Sequence, residues 1–248
     1  MTNKYRYFIG NWKMFGQLSS IKILKRVNSY LNKVKNNNSK VIFCPPYTLI
    51  NSFAKQLKKS LISIGAQNCH HESNFGPHTG SINSKMIKNS GAKYVIIGHY
   101  ENRIRGDTDL LINKKIKASL NNKLKIIFCI GENRKQKNKR ITNKILNKQI
   151  TIGLKGVNKK SEIFVAYEPI WAIGTGLVPN TLNLEKNLKF IQTKLKKILN
   201  NYKILYGGSV NHKTVKAISS IGNVDGFLIG GASQSSKKFI DIIKNYYK

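Results

Sequence analysis

Eight short runs of apolar, β-rich residues, set far apart and separated by longer amphipathic segments, restrict the possible folds more than any other feature. They are Tyr7 to Gly10, Val41 to Cys44, Ser63 to Gln67, Tyr94 to Gly98, Ile126 to Ile130, Phe164 to Tyr167, Ile204 to Tyr206 and Gly226 to Ile229. None shows the apolar–polar alternation of a strand with one wet face. Strands dry on both faces belong to a parallel sheet covered by helices. The intervening segments supply the helices: Leu18, Ile21, Leu24, Val27 and Leu31 recur at helical spacing, as do Leu184, Leu188, Ile191, Leu195 and Ile198. Asn180 or Thr181 is placed to cap the second of these. Strand and helix alternating across residues 1–248 with no linker predict an α/β fold: a single (β/α)8 barrel domain with eight parallel strands and outer helices. An open doubly wound sheet is the alternative. The turn after the first run, "GNWKMFG", lacks the G-x-G-x-x-G phosphate fingerprint such a sheet would use.

Charge is the next constraint. Lys and Arg number 44 against 10 Asp and Glu, a formal net charge of +34. A nucleic-acid partner is the first thought. Lysine, however, is spread over every inter-strand segment in company with Asn and Ile, as drift in an AT-rich coding sequence would produce, and no RNA-binding aromatic motif, zinc finger or basic heptad helix occurs. No specific nucleic-acid partner is expected. Cys44, Cys69 and Cys129 form no C-x-x-C pair, so neither a metal site nor a redox dithiol is expected. No apolar run approaches the roughly 18 residues that span a bilayer, and "MTNKYRYFIGNWK" has no continuous apolar core for export. The expectation is a cytoplasmic protein with no membrane partner.

In a barrel of this kind chemistry gathers at the carboxyl ends of the strands. There the first run ends in Asn11 and Lys13, the third in "AQN", the fourth in "IIGHYE" with His99, and the sixth in Glu168. "YGGSV" and "LIGGAS" follow the seventh and eighth. Glycine-rich turns at those two places suit a phosphate held by backbone N–H groups.

The segments "GNWKM", "FCPPYT", "AQN", "IIGHYENR", "CIGE", "AYEPIWAIGTG", "YGGSV" and "DGFLIGGAS" occur in this order from Asn11 to Ser233. Their order and spacing resemble the triosephosphate isomerase family over essentially the whole chain. The resemblance implies an isomerase that moves a proton between adjacent carbons of a triose phosphate, through an enediolate, with no cofactor and no metal. It implies Glu168 as base, His99 as neutral electrophile, Lys13 as the cation that offsets developing charge, and Asn11 as a hydrogen-bonding neighbour. Backbone N–H groups of Gly174, Ser209, Gly230 and Gly231 would hold the phosphate. Residues 169–176 would form a closing lid, with Pro169 at one hinge, Gly174, Thr175 and Gly176 at the other, and Trp171 between. Ile173 and Leu228 would pack over the base, with Tyr206 in support. A homodimer is implied, with Thr79 in the contacting loop.

Acids are scarce, yet Glu101, Glu132, Glu168 and Asp225 all fall inside these motifs. Glu101 is expected to pair with Lys13, and Glu132 with Trp171 when the lid is open. Four positions depart from the family pattern. Tyr100 stands where Ser is usual, and its phenol is expected to crowd Glu168 or to replace the hydrogen bond the serine would make. Asn102 and Ser81 replace an Arg and a Glu that are thought to pair, and Leu177 replaces a Lys at the edge of the lid.

Overall fold

The computed structural model describes residues 5–34, 38–175 and 179–248. Eight strands form a closed barrel in chain order, with β8 returning to β1 and every pairing parallel. They are β1 (Arg6–Asn11), β2 (Ser39–Cys44), β3 (Ile62–Ala66), β4 (Tyr94–Ile97), β5 (Lys125–Ile130), β6 (Ile163–Tyr167), β7 (Tyr202–Tyr206) and β8 (Gly226–Ile229). The helices that lie between and after them are α1 (Ile21–Lys33), α2 (Tyr47–Gln56), α3 (Ser84–Asn89), α4 (Tyr100–Ile104), α5 (Asp109–Asn121), α6 (Arg134–Asn138), α7 (Thr142–Gly153), α8 (Thr181–Ile198), α9 (Val215–Ser219) and α10 (Ser236–Tyr246).

The apolar runs lack alternation because the strands feed two cores. Ile9, Ile42, Cys44, Ile96, Ile127, Cys129, Phe164, Ala166, Leu205 and Leu228 point into the barrel. Their neighbours Phe8, Phe43, Val95, Phe128, Val165 and Phe227 point outward against helix residues such as Leu24, Phe53, Leu188 and Phe239. Side chains still alternate between faces; both faces are dry.

Differences from the sequence-based expectation are local. Leu18 is not on the buried stripe of α1: it is exposed in a short 3-10 turn, Leu18–Ser20, that precedes the helix. Gln67 and Gly98 lie one residue past β3 and β4. Gly98 turns the chain at φ 79°, and the Gln67 amide donates to the carbonyls of Lys13 and Cys44, so both serve the loops above the sheet. Asn180, of the two candidate caps, accepts the Leu182 N–H at the start of α8. No helix among the described residues is long and apolar enough to cross a membrane.

Candidate active site

Three strand ends deliver the titratable groups. After β1 the chain turns sharply, and Lys13 takes φ 56°, a left-handed conformation that is uncommon without glycine and often marks a functional constraint. The turn is pinned from both sides: Asn11 Oδ1 accepts the Lys13 N–H at 3.1 Å, and Gln67 Nε2 donates to the Lys13 carbonyl at 2.8 Å. The Lys13 ammonium then bonds Glu101 Oε1 at 2.9 Å. Burial alone would lower this lysine, but the bond to Glu101 and the charges around it leave it raised. Glu101 shifts the other way, below its ordinary value: burial would raise it, and the Lys13 bond, the charges of His99 and Lys13 and the Tyr100 hydroxyl prevail.

His99 is the N-cap of α4, and its Nδ1 accepts the Glu101 backbone N–H at 3.4 Å. Glu101 Oε2 also lies 3.5 Å from Nδ1, but only the backbone contact has hydrogen-bond geometry. That assigns Nδ1 as acceptor and leaves Nε2 as the donating nitrogen of the ring. Nε2 faces Glu168 Oε1 at 3.6 Å.

Glu168 follows β6 and is 3% exposed, its N–H bonded to the Ile130 carbonyl at 2.8 Å. Two glycines make room for it. A Cβ on Gly131 would sit 1.8 Å from the Glu168 carbonyl oxygen, and one on Gly207 would sit 2.7 Å from its Cγ. Burial pushes the Glu168 carboxyl above the ordinary 4.5, against the opposing effects of His99, the hydrogen-bonding thiol of Cys129, Lys13 and Arg103. The folded chain therefore holds this proton to higher pH than the unfolded chain. The stabilisation from the protonated form is complete below the ordinary value and is lost as pH rises through the shifted one. A carbon-13 NMR titration of the Glu168 carboxyl is expected to give a midpoint above 4.5. A midpoint at or below that value would contradict the burial argument.

One cavity of about 880 Å³ is lined by Asn11, Lys13, His99 and Glu168 together with Gly174, Ser209, Gly230 and Gly231. Ile173 and Leu228 line it as well. The segment after Glu168 is held by contacts of its own. Pro169 precedes a short 3-10 turn, Ile170–Ala172, and Gly174 takes φ 72°. The Trp171 indole N–H bonds Glu132 Oε1 at 2.8 Å, and Glu132 is fully buried and accepts from the Tyr167 hydroxyl at 3.1 Å. Lys137 stands 3.3 Å from the centre of the Trp171 ring, with the Arg134 guanidinium at 5.2 Å. Ser209 Oγ donates to the Ala172 carbonyl at 2.7 Å, and the Thr175 hydroxyl donates to the same oxygen at 3.3 Å. Gly176 and Leu177 lie outside the described residues.

Tyr206, Thr79, Asp225 and Tyr100 do not line the cavity. Tyr206 is buried beneath the cavity, close enough that a Cβ on Gly208 would meet its hydroxyl at 2.2 Å. Thr79 is exposed in the loop between β3 and α3. Asp225 precedes β8 at the opposite rim, where its carboxylate accepts the Ile204 N–H of the neighbouring β7 at 2.8 Å. Its presence in a motif reflects the barrel floor and not the site. Tyr100 sends its hydroxyl to Glu101 Oε1 at 3.3 Å, so the hydrogen bond it makes is to this carboxylate. Sequence reasoning gave no role to Cys129 or Arg103. Arg103 ties the underside of the site together, donating to the carbonyls of Gly98 and Cys129 and pairing with Asp109. Both lie inside family-like segments, "CIGE" and "IIGHYENR", but nothing in the local sequence separates Cys129 from an ordinary buried thiol or Arg103 from a surface cation.

The family model described as triosephosphate isomerase matches residues 6–246. The chain belongs to that family. Among curated triosephosphate isomerases, that of Thermodesulfovibrio yellowstonii is 39% identical over 245 residues, covering 96% of this chain and 98% of the relative. The triosephosphate isomerase of Bradyrhizobium sp. (strain ORS 278) is 36% identical, covering 98% and 99%. The crystal structure of triosephosphate isomerase from Bartonella henselae superposes with a TM-score of 0.88 at 30% identity, covering 98% of this chain and 99% of that one. The match to the family thus spans the whole barrel, and residues of five of the family-like segments, "GNWKM", "IIGHYENR", "AYEPIWAIGTG", "YGGSV" and "DGFLIGGAS", line this one cavity.

Proposed function

We propose that this chain interconverts dihydroxyacetone phosphate and D-glyceraldehyde 3-phosphate. The carrying observation is that an ammonium, an imidazole and a buried carboxylate share one cavity with two glycine-rich turns. Glu168 takes a proton from the carbon beside the carbonyl, and the electron pair moves onto the carbonyl oxygen to give an enediolate. His99 gives its Nε2 proton to the former carbonyl oxygen and takes the hydroxyl proton from the neighbouring oxygen, which becomes the new carbonyl, while Lys13 offsets their charge. Glu168 then returns the proton to the adjacent carbon. No redox partner is needed, because oxidation at one carbon is balanced by reduction at the next. Asn11 adds a hydrogen bond, and N–H groups of Gly174, Ser209, Gly230 and Gly231 hold the phosphate.

The lid reading follows from the same geometry. For residues 169–176 to close, Trp171 must leave Glu132 and its two cations, exchanging those contacts for ones over the substrate. Closure would bring the apolar Ile173 over the base and exclude water that would otherwise solvate the carboxylate. A coupled assay of the purified protein with glyceraldehyde 3-phosphate tests the function; no turnover above the uncatalysed rate would reject it.

The same reading includes a homodimer working in the cytoplasm in glycolysis and gluconeogenesis. The dimer is supported by large apolar side chains in the open: Met14 is 92% exposed, Ile104 78%, and Phe75, in the same loop as Thr79, 65%. Sedimentation is expected to give twice the 28.1 kDa of one chain. A fully active monomer at assay concentration would remove the dimer from the proposal.

A further inference from the structure

Tyr100 touches Lys13 and His99, which line the cavity, and Glu101, which pairs with Lys13. Its hydroxyl donates to Glu101 Oε1 at 3.3 Å, the same oxygen that the Lys13 ammonium bonds at 2.9 Å. Its ring face lies toward Lys13, with Nζ 5.2 Å from the centroid. Its ring also packs on His99, centroid to centroid at 4.8 Å with the planes inclined by 41°. A serine in this place could make none of the ring contacts. We propose that Tyr100 is a positioning residue that acts through Lys13, holding the ammonium between its ring face and the carboxylate its hydroxyl orients.

The physical case rests on the freedom of a lysine. Four methylene torsions leave the ammonium mobile, and a single carboxylate fixes its distance but not its direction. A π face attracts a cation from a second side, and the two attractions together define one location. The hydroxyl contributes by holding Glu101 from turning away, which matters because Glu101 is partly exposed. The left-handed backbone at Lys13 sets the root of the side chain, and Tyr100 and Glu101 set its tip. The inference rests on the isomerase reading, in which Lys13 meets the substrate.

The test is a double-mutant cycle read as KM and kcat for glyceraldehyde 3-phosphate. Tyr100→Leu is expected to raise KM about fivefold and lower kcat by less, since a partly exposed cation–π contact and one charge-assisted hydrogen bond are lost. Tyr100→Phe, which keeps the ring, is expected to raise KM only about twofold, and Tyr100→Trp to restore most of what Leu removes. In a Lys13→Met background Tyr100→Leu is expected to change KM no further. An equal fold-change in both backgrounds, or an unchanged KM with only a lower melting temperature, would overturn the proposal. Should Tyr100→Leu fail to fold, the Phe variant alone decides, because it preserves the packing: a KM raised as far as by Lys13→Met would show that the ring contributes nothing. If Lys13→Met itself leaves activity intact, the isomerase reading fails and not merely the role of Tyr100.

Discussion

Glu168→Asp is expected to lower kcat about a hundredfold with the fold intact, because shortening the side chain by one methylene withdraws the carboxylate by about 1 Å from the carbon it must reach. The site offers little room to compensate. The Glu168 N–H is bonded to the Ile130 carbonyl, and the backbone lies against Gly131 so closely that a Cβ there would overlap its carbonyl oxygen. The chain cannot slide forward to restore the reach. Gly207 closes the slot on the other side, against the Glu168 Cγ methylene. Steady-state rates in both directions, with circular dichroism as a check on folding, measure the effect. A kcat equal to that of the parent would remove Glu168 from proton transfer.

Lys13→Met is expected to lower kcat/KM about a thousandfold, since removing a single preorganised group that meets developing charge typically costs a hundredfold to a thousandfold, and in the proposed mechanism this one also meets the substrate dianion. Stability is expected to move little. The pair with Glu101 is partly open to solvent, with side chains 25% and 38% exposed, and pairs of that kind contribute about 0–1 kcal/mol. A large loss of activity beside a small shift in melting temperature would separate the chemical role from a structural one. Ionic strength separates two further explanations. If high salt restored the variant relative to the parent, the lysine would be acting through the long-range field of a chain with net charge +34, and not by contact.

The barrel was legible because burial on both faces leaves a mark in composition. Runs such as Ile126 to Ile130 and Phe164 to Tyr167 carry no polar residue to show which face is wet, and the structure has no wet face there. The expected strand positions differ from the observed ones by a residue or two at their ends, where loops above the sheet compete for Gln67 and Gly98. Leu18 was misread for a related reason: helical spacing extends backward from Ile21, but the chain enters through a 3-10 turn that faces solvent. In an acid-poor chain the positions of Glu101, Glu132 and Glu168 were informative, whereas Asp225 carried the same signal and serves the opposite rim.

Directions were not legible. Which way the Tyr100 phenol turns depends on where Lys13 stands, 87 residues away in the chain, and on a left-handed backbone that no local preference of lysine would announce. The thiol of Cys129 and the guanidinium of Arg103 gain their places from what is packed across the sheet from them. Local composition determined the order of strands and helices and the rim that carries the polar groups, because periodicity and burial act on neighbouring residues. Only the closed barrel decided which of those groups meet, because distances across its mouth are set by strand register and by glycines whose missing Cβ atoms leave the carboxylate its slot.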